Sequence, residues 1–166
     1  LVITASHNPY NWLGLKIKSF NGCSVDESFT SEIEKRLMLG NSIEKIDGVN
    51  QLVDIKKFHL DRIKSLFDID FISNRLKKMK LRIFVDSMHG SAANCMAEIF
   101  ASNDLEVISE IRKDADPFFG GKPPEPLLNY VDDLNQILMK NSTNEVKTLG
   151  IIFDGDGDRI AAIDEK

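Results

Sequence analysis

The stretch Leu149-Gly150-Ile151-Ile152-Phe153-Asp154-Gly155-Asp156-Gly157-Asp158-Arg159-Ile160-Ala161-Ala162-Ile163 sets the reading of the chain. Its two apolar ends are short and rich in isoleucine, as buried strands are. Between them, three aspartates alternate with glycines and run directly into an arginine. Carboxylate oxygens suit a hard divalent cation such as Mg²⁺. On a straight strand the three would share a face about 6.5 Å apart, too far to share one ion. The glycines free the backbone to curl and bring them together. Arg159 adds a planar cationic fork suited to phosphate. Two other readings fit parts of the stretch. A solvated acidic turn is the commonest use of Asp/Gly runs. An EF-hand loop would place Asp154, Asp156, Asp158 and Glu165 at ligand positions, but Arg159 replaces the obligatory turn glycine and the flanks read as strands.

Working outward from this loop, the pattern alternates strand and helix. Upstream lie a helix over 127–140, with Leu128, Val131, Leu134 and Leu138 inward and Pro126 at its first position, and a Pro/Gly-rich loop over 113–126. Before them come a strand over 105–111, a helix over 92–101 with Met96 and Phe100 inward, and a strand over 81–85 ending at Asp86. Helices are expected over 55–67, with Ile55, Phe58, Ile63 and Phe67 on one face, and over 70–77. The Lys77–Lys80 run reads as a solvated helix end. The weakly patterned residues 41–54 read as a connection. Strands separated by helices predict an α/β layer with helices on a mainly parallel or mixed sheet, preceded by a partial α/β domain. Ligands of such sheets gather beyond the carboxyl ends of the strands, where the aspartate loop, the Asp86–Gly90 loop and Ser6 fall.

At the start of the chain, Leu1-Val2-Ile3 reads as the end of a buried strand running into the tight loop Thr4-Ala5-Ser6-His7-Asn8-Pro9. Gly14–Lys18 alternates like a half-buried strand, and Asn21-Gly22 is a turn. A helix follows from an Asp26 cap to about Leu37, with Phe29, Ile33 and Leu37 on one face and Gly40 to stop it. The absence of an initial methionine, and an end just past a strand, suggest a piece cut from a longer protein.

Bulk properties narrow the function. A hydrophobic fraction of 42% with 28% charged residues is ordinary for a globular chain. A net charge of −5 without a basic stripe argues against nucleic acid as a partner. No apolar run reaches membrane-spanning length. Cys23 and Cys95 are far apart and lack metal spacing, which suits reduced thiols in the cytoplasm.

Thr4-Ala5-Ser6-His7-Asn8-Pro9, then Gly14 and Lys16, then Asp154–Arg159, closely resemble the α-D-phosphohexomutase family of phosphoglucomutases, phosphomannomutases and phosphoglucosamine mutases. Asp86-Ser87-Met88-His89-Gly90 and the proline-rich Gly120–Pro126 also resemble family loops. The resemblance spans the whole chain. It implies that residues 1–40 are the end of domain 1 with the catalytic serine loop, 41–54 the connection, and 55–166 domain 2 with the metal loop. Domains 3 and 4, which read the sugar and grip its distal phosphate in the family, would be missing. It implies a hexose phosphate substrate and Mg²⁺ held by Ser6, Asp154, Asp156 and Asp158. It makes Ser6 the phosphoserine, Lys16 a charge-neutralising or proton-moving residue ten positions later, and Arg159 the group that steers the transferring phosphate. His7 and Asn8 would shape the loop or bind phosphate. Leu13 stands where the family commonly has Asn or Asp, yet the Ser6-to-Gly14 and Ser6-to-Lys16 spacings hold. The loop's opening is closer to the glucose and mannose enzymes than to the glucosamine branch. The 166 residues alone are expected not to turn over, and a non-catalytic cation- and phosphate-binding module is the alternative.

Overall fold

Strand β5 (Lys147–Phe153), which carries the aspartate loop at its end, is central, and the rest of the sheet can be placed from it. The computed structural model describes residues 1–40, 48–101 and 107–164. By contact the chain divides into two compact units, Leu1–Thr4 with Leu13–Asp54, and Ala5–Trp12 with Ile55–Lys166.

The larger unit holds α2 (Ile55–Leu66), α3 (Ile69–Lys78), β3 (Leu81–Asp86), α4 (Cys95–Ile99), β4 (Ile108–Ile111), α5 (Asp132–Asn141), β5 (Lys147–Phe153) and β6 (Ile160–Asp164). Its sheet has the order β4-β3-β5-β6. β3 is parallel to both β4 and β5, and β6 closes the edge antiparallel to β5, so the sheet is mixed. Alternate side chains go to opposite faces. Ile83 and Val85 join Leu60, Ile99, Phe100 and Ile108 in one core under α2, α3 and α4. Phe84 and Ile152 join Val131, Leu134 and Leu138 in the other, under α5. The result is an α/β layer with helices on both faces. At Gly150 a Cβ would stand 2.9 Å from Leu134 and Ile163, so glycine lets α5 settle on the sheet.

Several local expectations need correction. The stripe proposed for α2 is not the buried one: Ile55, Phe58 and Phe67 are exposed, while Leu60 is buried and Ile63 packs beside it. Helix α2 is set against α4 instead, and Lys56 donates to Glu98 at 2.6 Å and to the Ala93 carbonyl at 3.1 Å. α4 spans only Cys95–Ile99, because Asn94 at φ 64° breaks helical geometry ahead of it. The helix expected over 127–140 begins at Asp132. Leu127 is extended, Leu128–Tyr130 forms a separate 3₁₀ turn, and Leu128 is exposed while Val131, Leu134 and Leu138 are buried. α3 starts one residue early because Asp68 caps it by accepting from Phe71 N at 2.8 Å. The first two residues expected for β4, at 105–106, lie outside the described residues, as do 41–47 of the expected connection and Glu165.

In the smaller unit, β1 (Val2–Thr4) pairs antiparallel with β2 (Gly14–Lys16), Val2 opposite Lys16 and Thr4 opposite Gly14. A Cβ on Gly14 would meet the Thr4 carbonyl at 2.8 Å. The turn at Asn21-Gly22 forms, with Gly22 at φ 84° and Lys18 bridged to Ser24. α1 (Glu27–Met38) is capped by Asp26, which accepts from Ser28 Oγ at 2.6 Å and Phe29 N at 3.2 Å. These bonds, Ser28 first, hold the Asp26 carboxyl below the usual carboxylate range. Gly40 at φ 63° ends the helix. Burial differs from expectation: Leu1, Val2, Ile3, Phe29 and Leu37 are exposed, since among the described residues a two-stranded ribbon and one helix give no second layer to cover them.

No helix among the described residues is long and apolar enough to cross a membrane.

Candidate active site

The aspartate loop begins where β5 ends. The Arg159 N–H donates to Asp154 Oδ1 at 3.1 Å, and the Gly157 N–H donates to the Asp154 carbonyl at 3.1 Å. Gly157 takes φ 76°, a conformation that favours glycine. This curl brings one carboxylate oxygen each from Asp154, Asp156 and Asp158 within 4.8 Å of one another. Asp154 is buried, Asp156 half-buried and Asp158 exposed, so the cluster opens outward. Asp154 Oδ2 is buried and has no hydrogen-bond partner among the described residues. Arg159 Nε stands 3.8 Å from it, beyond hydrogen-bond reach. A dehydrated carboxylate oxygen left this way is costly, and a divalent cation would satisfy it. The donor set, all oxygen, fits a hard cation.

Three other loops meet this one. The Gly155 N–H donates to the Pro124 carbonyl at 3.0 Å, and the Ser91 N–H donates to the Gly155 carbonyl at 2.9 Å. A Cβ on Gly90 would lie 2.5 Å from the Gly155 carbonyl, and one on Gly155 would lie 2.4 Å from the Ser6 carbonyl and 2.8 Å from Pro124. Backbone therefore touches backbone at positions where only glycine fits. The Asp86–Gly90 loop is held from below. Asp86, fully buried, is paired with Arg112 and accepts from Met88 N at 3.0 Å. Arg112 also donates to the Tyr130 carbonyl at 3.0 Å. Ser87 Oγ donates to Glu110 at 2.7 Å.

Ser6 sits at φ 55°, in the left-handed region, at a cost of about 1–2 kcal/mol for a residue with a Cβ. The turn is held by Asn8, whose backbone N–H and side-chain Nδ2 both donate to the Ala5 carbonyl at 3.0 Å. Asn8 thus shapes the loop. His7 Nδ1 lies 3.3 Å from Ser6 Oγ, and His7 Nε2 lies 3.8 Å from Glu125 Oε1. The Arg159 guanidinium stands between Asp154 and the same Glu125 oxygen, 3.9 Å from the latter. Tyr10 of the serine loop packs edge-on against Phe118, ring centroids 4.9 Å apart. Ser6, His7, Asn8, Arg159 and the three aspartates fall in one unit; Lys16 belongs to the other, on β2 opposite Val2.

Sequence reasoning did not single out Pro124, Glu125 or Arg112. Glu125 was legible in part, as the one carboxylate in the proline-rich run Gly120–Pro126. Nothing in the sequence says which side of that run faces the aspartates.

Residues 57–166 match the family described as phosphoglucomutase/phosphomannomutase, alpha/beta/alpha domain II, and residues 1–42 match alpha/beta/alpha domain I of the same family. The chain belongs to the phosphoglucomutase/phosphomannomutase family. A phosphoglucosamine mutase of Methanococcus vannielii is 31% identical over 99% of this chain and 36% of its own length. Phosphoglucomutase 2 of Saccharomyces cerevisiae is 31% identical over 96% of this chain and 32% of its own. A crystal structure of a phosphoglucomutase/phosphomannomutase family protein from Burkholderia thailandensis covers 98% of this chain and 32% of its own, with a TM-score of 0.75 at 23% identity, which speaks to fold. The chain spans about a third of the length of these relatives, and those matched by sequence carry the names of mutases acting on different sugars.

Proposed function

We propose that the protein containing this chain is a phosphohexomutase that interconverts hexose 1-phosphate and hexose 6-phosphate through a phosphoserine at Ser6, with glucose and mannose phosphates as substrates, in the cytoplasm. The observation that carries this reading is the convergence of the Asp154, Asp156 and Asp158 oxygens in a loop whose Gly155 abuts the Ser6 backbone. Membership of the family supports it.

Asp154, Asp156 and Asp158, with a phosphoryl oxygen on Ser6, would hold Mg²⁺. The ion would offset negative charge on the transferring phosphoryl group. The bond from Ser6 Oγ to phosphorus breaks as a sugar hydroxyl oxygen bonds to it, giving a hexose 1,6-bisphosphate and a free Ser6 alkoxide that takes up a proton. The sugar hydroxyl's proton leaves to a basic group; the family resemblance, in which a lysine stands ten positions after the serine, gives Lys16 that role or charge neutralisation. After the sugar reorients, Ser6 Oγ takes the other phosphoryl group. Arg159 steers the phosphate by its planar fork. Asn8 keeps the serine turn closed, and His7 faces Ser6 Oγ. Sugar recognition and the grip on the distal phosphate fall to segments of the relatives that this chain does not span.

The test is a mutase assay of the full-length native protein with Mg²⁺ on glucose 1-phosphate and mannose 1-phosphate, beside Ser6→Ala. Turnover that the variant loses supports the phosphoserine route. A folded, metal-bound protein that is inert on both, and on glucosamine phosphates, makes it a cation- and phosphate-binding module instead.

A further inference from the structure

We infer that Glu125 is a positioning residue of this site: its carboxylate sets the orientation of the His7 ring toward Ser6 Oγ and holds the Arg159 guanidinium beside the aspartates. The inference rests on the functional reading above, and its spectroscopic test is independent of turnover.

The geometry points to Glu125 in three ways. First, one carboxylate oxygen lies close to both groups, 3.8 Å from His7 Nε2 and 3.9 Å from the Arg159 guanidinium. Second, its backbone is fixed. Glu125 lies between Pro124 and Pro126, its N–H donates to Pro123 at 2.9 Å, and its carbonyl accepts from Leu127 at 2.8 Å. Pro124 in turn accepts from Gly155, so the proline loop is anchored to the aspartate loop one residue before Glu125. Third, the two nitrogens of His7 face different partners. The Glu125 carboxylate stands 3.8 Å from Nε2, beyond hydrogen-bond reach, so it acts on the ring by its charge: it favours the tautomer with the proton on Nε2 and leaves Nδ1, 3.3 Å from Ser6 Oγ, as an acceptor for the serine hydroxyl. Among the described residues, no other group facing Nε2 selects one tautomer over the other. The side chains of Glu125 and His7 are 29% and 28% exposed and that of Arg159 47%, so the links act by charge and orientation rather than by burial.

The experiment uses the full-length native protein and its Glu125→Gln and Glu125→Asp variants, with exposed Glu145→Gln as control. Nitrogen-15 NMR of labelled histidine and arginine, at a pH where the His7 ring is neutral, reads the ring tautomer and the Arg159 Nε–H. The expected result is one Nε2–H tautomer in the parent, a mixture with a shifted and faster-exchanging Arg159 signal in Glu125→Gln, and partial return in Glu125→Asp. On whichever hexose phosphate the parent converts, kcat falls about tenfold in Glu125→Gln with KM within about threefold, as misplacing a reacting group does. Should His7 and Arg159 signals in Glu125→Gln match the parent, or move equally in Glu145→Gln, the positioning role is overturned. If Glu125→Gln fails to fold, Glu125→Asp decides by the same signals, since it keeps the charge but withdraws it by one methylene. A parent that converts no hexose phosphate would sink the mutase reading, while the NMR comparison would still decide the role of Glu125.

Discussion

Gly155 and Ser6 touch through backbone: a Cβ on Gly155 would lie 2.4 Å from the Ser6 carbonyl oxygen and 2.8 Å from Pro124. The metal loop and the serine loop are thus registered by the absence of a side chain. Gly155→Ala must push the two loops apart. The expected cost is about 1–3 kcal/mol of stability, as for other overpacked sites, together with weaker Mg²⁺ binding. Urea unfolding and calorimetric Mg²⁺ titration of the variant check this. Unfolding and affinity equal to the parent would show that the loops part freely.

Fully buried Asp86 pairs with the half-buried Arg112 beneath the Asp86–Gly90 loop. Arg112→Ala leaves a fully buried carboxylate without its cation and should cost about 3–5 kcal/mol. Adding Asp86→Asn to that variant should recover part of the loss, because the uncompensated charge goes with it. Chemical denaturation of the two single variants and the double variant measures the coupling. Strict additivity would mean that the pair contributes nothing jointly.

The aspartate cluster predicts a metal-dependent melting temperature. An ion that binds only the folded state stabilises it by mass action, about 2.7 kcal/mol at a hundredfold excess over Kd. Mg²⁺ added after EDTA treatment should raise the melting temperature of the parent, and the rise should shrink or vanish in Asp154→Asn and Asp156→Asn. Calorimetry of melting with and without Mg²⁺ reads the effect; an equal rise in the variants would place the ion elsewhere.

The two cysteines should differ in reactivity. Cys23 is exposed, whereas Cys95 is half-buried, and burial pushes its thiol above the usual value despite the opposing charge of Lys56. Iodoacetamide at pH 8 should modify Cys23 first, with Cys95 lagging until higher pH. A thiol whose folded-state pKa is raised contributes fully below the ordinary value of about 8.5 and loses that contribution as pH rises through the folded value. Mass spectrometry of timed alkylation settles the order, and equal rates would contradict the burial of Cys95.

The sequence alone was enough for the alternation of strands and helices, because short isoleucine-rich runs such as Leu149–Phe153 and capped segments such as the helix after Asp26 are locally encoded. It was enough, too, to single out the aspartate loop as a candidate cation site, because carboxylate oxygens suit a hard cation, while the same residues also suit a solvated turn. It misjudged which face of α2 is buried and where α5 begins, because both depend on neighbours: Leu60 turns inward toward α4, and Leu127 stays extended ahead of a 3₁₀ turn. Pairing β6 antiparallel at the sheet edge, joining Ser6 to Gly155, and bringing Glu125 of a distant proline loop to both His7 and Arg159 were decisions of tertiary structure. They rest on contacts between residues more than a hundred positions apart, or across loops without periodicity, and no local pattern carries that information.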